Sequence, residues 1–120
     1  MNTPTDRIFR LLTPEYISLR RMLITDITIT QDSPVILYQI PFELTKAPSR
    51  VWKQVLIDSW YSTTQHKGRI SKTVIWVFYN RILINKIPID LVRNDLESLV
   101  AATVEKTNKL MMMMRSQLVI

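Results

Sequence analysis

The sequence predicts an α+β fold: a four-stranded antiparallel sheet made of two β-hairpins in ββαββα order, with two main helices packed on one face and a short N-terminal helix. Three observations carry this prediction. Residues 23–44 and 70–87 are rich in β-branched residues and are each divided by turn chemistry, as hairpins are. Residues 50–60 and 90–109 place apolar side chains at the helical period. The decapeptide VILYQIPFEL at 35–44 is echoed without a gap by ILINKIPIDL at 82–91, an offset of 47 residues, which suggests one ββα unit built twice. True duplication and convergent punctuation (strand, proline, cap) account for the echo equally well.

Taken in order, Thr5 or Asp6 caps a short turn carrying Ile8, Phe9, Leu11 and Leu12. Thr13-Pro14-Glu15 then reads as a helix start: an N-cap oxygen, a proline where no N–H is missed, and an acid at the positive end of the dipole. Tyr16, Ile17 and Leu19 would form its apolar side and Arg20 and Arg21 its C-terminal end. From Leu23 the period becomes two through Thr30, which predicts a half-buried strand. Gln31, Asp32, Ser33 and Pro34 make a turn, and a second strand runs over 35–44. Pro41 cannot donate to a ladder, so this strand is predicted to lie at an edge there or to stop pairing.

Ser49 is the predicted N-cap of a helix whose stripe is Val51, Trp52, Val55, Leu56 and Trp60, with both tryptophans assigned to the core. Residues 62–69 break the pattern and hold the single glycine, Gly68, a candidate for positive φ. Residues 70–79 are strongly β-prone. Asn80-Arg81 reads as a tight turn with Asn80 left-handed, followed by a strand over 82–87 that Pro88 stops. Asp90 caps a long helix whose buried face is Val92, Leu96, Leu99, Val100, Thr103 and Val104. Its acids come early and its lysines late, as the macrodipole favours.

At 120 residues the chain is one predicted domain, with a helical segment 1–22, a first ββα unit 23–61, a loop 62–69, a second unit 70–109 and an apolar extension 110–120. The hydrophobic content of 47% argues against disorder. Cysteine is absent, which excludes disulfides and thiolate metal sites and suits a reducing compartment. The polar opening and a longest apolar run of six residues, 74–79, predict neither a secretory leader nor a membrane span. A cytoplasmic protein is the expectation.

The inventory also bears on chemistry. One histidine and one glycine leave no histidine metal cluster, phosphate-cradling loop or dinucleotide turn. No Gly-x-Ser-x-Gly elbow is present. Asp90, Asp95 and Glu97 gather at a helix start, where dipole compensation explains them. The expectation is a non-enzymatic protein without cofactor or metal, and His66 as a catalytic base is the weakest of three readings.

The leading reading is an interaction module that self-associates or docks to a protein through its apolar C-terminal helix. Four consecutive methionines point in every direction on a helix, so some must leave the core. Leu110, Met111, Met112, Met113, Met114 and Leu118 are the predicted interface. The alternative is nucleic-acid binding. The net charge is +6; His66, Lys67, Arg69 and Lys72 cluster, Arg81 lies at the other end of the same hairpin, and Trp76 and Phe78, on the Lys72 face of the predicted strand, offer a stacking platform, with Tyr79 a further candidate to stack. The bland account of those aromatics is a central strand with two covered faces.

Overall fold

The computed structural model describes residues 16–93 and 95–118, the side chains of 116–118 excepted. Five strands form one antiparallel sheet: β1 (Leu19–Met22), β2 (Thr28–Gln31), β3 (Leu37–Leu44), β4 (Val74–Phe78) and β5 (Arg81–Ile87). The order is β1-β3-β5-β4, with β2 also paired to β3. The α+β class and the two hairpins stand, but the sheet has five strands, not four: the strand predicted from Leu23 to Thr30 holds a 3-10 turn at Ile24–Asp26 and only β2, and β1 precedes it along the same edge. Leu19–Met22 is strand, not the end of a helix. Arg21 pairs with Glu43 across the ladder, a tertiary partner that outweighs local helix chemistry. The helix starts read at Thr5, Asp6 and Thr13 lie outside the described residues.

Pro41 explains the split. It sits buried inside a central strand, opposite Leu83 on β5, which corrects the edge position expected for it. Its carbonyl accepts from Leu23 N–H at 2.8 Å. A strand residue's N–H and C=O point to the same side, so the donor that proline lacks would have faced Leu23 as well. The Leu23 carbonyl bonds instead to Asp26 N–H at 3.0 Å, within a 3-10 turn at Ile24–Asp26. The neighbour bends away where the ladder cannot be completed, which satisfies the buried backbone.

The echoed decapeptides fold differently from the proline onward. Phe42 to Leu44 continue β3, whereas Pro88 ends β5 and Ile89–Arg93 forms the short helix α2. Punctuation accounts for that echo better than structural equivalence does. The second turn is also displaced by one residue. Phe78 pairs with Arg81, so Tyr79 and Asn80 make the turn, and Tyr79, not Asn80, is left-handed at φ 53°.

Helix α1 (Arg50–Thr64) begins at Ser49, whose hydroxyl accepts from Trp52 N–H at 3.2 Å, the predicted cap. It runs into the segment expected to be loop. Gly68 has φ 63° and opens a second 3-10 turn, Gly68–Lys72. The long C-terminal helix is two helices, α2 and α3 (Leu96–Leu118). Asp95 separates them at φ 67° while its carbonyl accepts from Leu99 N–H at 3.0 Å. Aspartate tolerates that conformation better than most residues.

The core lies between one sheet face and the helices. Ile40, Phe42, Leu44, Ile75, Ile82 and Ile84 meet Trp52, Leu56 and Trp60 of α1 and Leu96, Val100 and Val104 of α3. Trp60 Nε1 donates to Thr73 Oγ1 at 3.3 Å. Asn108 ties three elements together: Oδ1 accepts from Trp52 Nε1 at 2.9 Å and from Ile17 N–H at 3.3 Å, and Nδ2 donates to the Ile17 carbonyl at 2.7 Å. Among the described residues no buried side-chain N or O lacks a partner.

Candidate interaction surfaces

Alternation sends Ile75 and Val77 inward and Val74, Trp76 and Phe78 to the opposite face. At β4 that opposite face is open to solvent. Trp76 and Phe78 are 59% and 61% exposed, and Tyr79 in the turn projects beside Phe78 with ring centroids 4.5 Å apart. Across the sheet, Trp76 neighbours Leu83 and then Pro41, while Phe78 neighbours Arg81, Glu43 and Arg21. The sequence placed Trp76 and Phe78 on one face; that this face is the bare one depends on where the helices pack.

The predicted cationic residues do not form one patch. His66 and Lys67 are exposed in the loop, with His66 left-handed at φ 66°. Arg69 pairs with Asp90, and Arg81, at the far end of the hairpin, pairs with Asp26 at 3.5 Å. Arg20 and Arg21 both reach Glu43, at 3.2 and 3.3 Å. Partial burial pushes the Glu43 carboxyl up, but hydrogen bonds and charge from Arg21 and Arg20 outweigh it and hold the group below the usual glutamate range. Arg69 does the same to Asp90 through its hydrogen bond and charge. Much of the positive charge around the bare face is therefore already compensated.

One concave region does gather cations. Arg69, Lys72 and Lys86 line a cleft with Gln31, Val35, Leu37 and Pro88 where β4 begins and β5 ends. Lys86 was not foreseen. Nothing in its local sequence signals the site, because only the sheet topology brings it beside the Gly68–Lys72 turn.

The methionine run is divided by the helical period. Met111 follows Val104, Thr107 and Asn108 on the inward face and is buried in the protomer's own core. Met112, Met113 and Met114 are 56%, 56% and 41% exposed. Leu110 is half-buried, and the Leu118 side chain lies outside the described residues. Leu110, Met113 and Met114 face Val55 across an open groove between α3 and α1. Lys106 flanks the groove from α3 and Asp58 from α1.

Among the described residues no helix is long and apolar enough to cross a membrane, and no three His, Cys, Asp or Glu side chains gather as a metal set. No protein-family model, curated protein or solved structure matches this chain.

Proposed function

We propose that the chain is a small non-enzymatic interaction module that associates with a second copy of itself through the α1–α3 groove. The supporting observation is the exposure of Met112, Met113 and Met114 on a helix whose inward face already completes the core without them. Methionine is flexible and suits adaptable apolar contacts. The charges on the two walls favour a second copy as the occupant. A two-fold contact sets each patch against itself reversed, so Lys106 of each copy can meet Asp58 of the other.

Sedimentation of the intact chain and of a Met113→Lys, Met114→Lys double variant tests the reading. Both substitutions lie at exposed positions, so the fold should survive. Self-association that the double variant weakens, read as a smaller sedimenting species, supports it. A monomeric intact chain at high concentration, or self-association indifferent to the substitutions, overturns it.

A second reading, nucleic-acid binding at the sheet end, is favoured by the cleft that joins Lys72, Lys86 and Arg69. Binding of labelled single-stranded oligonucleotides should weaken steeply with salt through counterion release. Absence of binding at low salt removes this reading.

A further inference from the structure

The two edges of the sheet are built differently. The β1–β2 edge is interrupted by the Ile24–Asp26 turn, carries register shifts against β3, and bears Arg20 and Arg21. Broken pairing and charge are how edges are guarded against adding strands. The β4 edge has none of these. Its five residues VIWVF hold no charge and no proline, and they pair with β5 without a shift.

The orientation of β4 fixes which groups face the edge. A two-residue turn closes on Phe78 and Arg81, so Phe78, Trp76 and Val74 direct their backbone groups toward β5. Ile75 and Val77 direct theirs outward. The Ile75 N–H confirms this direction: it meets Tyr61 Oη at 3.4 Å, beyond the sheet. Among the described residues this long bond is the side-chain hydrogen bond on that edge; Ile75 is 5% and Tyr61 39% exposed.

We propose that two copies of this chain pair antiparallel along β4, in a two-fold register centred on Trp76. Only this centre lets every residue from Val74 to Phe78 find a partner. Ile75 of each copy then exchanges hydrogen bonds with Val77 of the other, after Tyr61 Oη turns away. Trp76 stands opposite Trp76 of the second copy as a non-hydrogen-bonded pair, where side chains approach most closely. Val74 stands opposite Phe78 of the second copy. The exposed aromatics of both sheets become one strip, and Lys72 faces Asn80 rather than a like charge. This contact is separate from the α1–α3 groove and does not depend on it.

The chain has no cysteine, so single cysteines can be placed cleanly. Non-hydrogen-bonded partners lie about 4.5 Å apart at Cα, within disulfide range. Under mild oxidation Trp76→Cys should form covalent dimer at least about tenfold faster than Thr28→Cys on the guarded edge, since only the first is held within that range. A mixture of Val74→Cys and Phe78→Cys chains, which keeps Trp76, should give the mixed dimer in preference to either homodimer. Both results should persist in the Met113→Lys, Met114→Lys background, whatever becomes of the groove contact. If neither Trp76→Cys nor the mixture exceeds Thr28→Cys, the pairing is overturned even where the chain proves dimeric. A mixture that favours homodimers overturns the register.

Discussion

Asn108 serves Trp52 and both backbone groups of Ile17 from a site only 6% exposed. Replacing it by alanine strands the indole N–H and both Ile17 groups without partners. Asn108→Ala should therefore cost about 2–3 kcal/mol, read by urea denaturation followed in the far ultraviolet. Glu43 supports a pH prediction. Its folded pKa lies below its unfolded one, so the stability it contributes is complete above the ordinary glutamate range. It is lost as pH falls through the lower folded value. Glu43→Gln should be less stable than the parent at neutral pH, and the two unfolding midpoints should converge in acid. Ser49, Gly68 and the buried tryptophans were legible in the sequence because each answers to local chemistry or a simple period. Tyr79 was not, because a bulky residue adopts positive φ only where the surrounding strands impose it.

At the scale of elements, helices were easier to read than strands. Helix α1 is specified by a cap and a stripe that lie within its own residues, and Ser49→Ala should cost about 1 kcal/mol of thermal or urea stability. Strand β1 is specified by Glu43, a residue distant in sequence, so Arg20 and Arg21 looked like the end of a helix. Pro41 shows the same limit: proline forbids a donor, but which neighbour absorbs the loss is decided by assembly of the sheet. The candidate surfaces divide in the same way. Period two put Trp76 and Phe78 together, and helical turns could have separated Met111 from Met113. Lys86 entered its cleft only through topology.

For the molecule as a whole, packing α1 and α3 against one sheet face leaves the three tryptophans in two environments. Trp52 and Trp60 are fully buried and Trp76 is 59% exposed. Acrylamide should quench one emission component readily and spare the rest, and Trp76→Phe should remove the quenchable component. If β4 pairs as proposed, that component should also become protected and shift to the blue as concentration rises. The sixteen Lys and Arg are dispersed, and Arg20, Arg21, Arg69 and Arg81 are paired with Glu43, Asp90 and Asp26, so the net charge of +6 favours steering and solubility more than a single focused site.

The tie made by Asn108 has a consequence for how the chain is produced. Ile17 leaves the ribosome before Trp52, yet both await an amide made 56 residues after the tryptophan. Until then the sheet can assemble while its first strand and first helix remain unlatched. Maturation is thereby deferred until that amide emerges, when one side chain closes the interior.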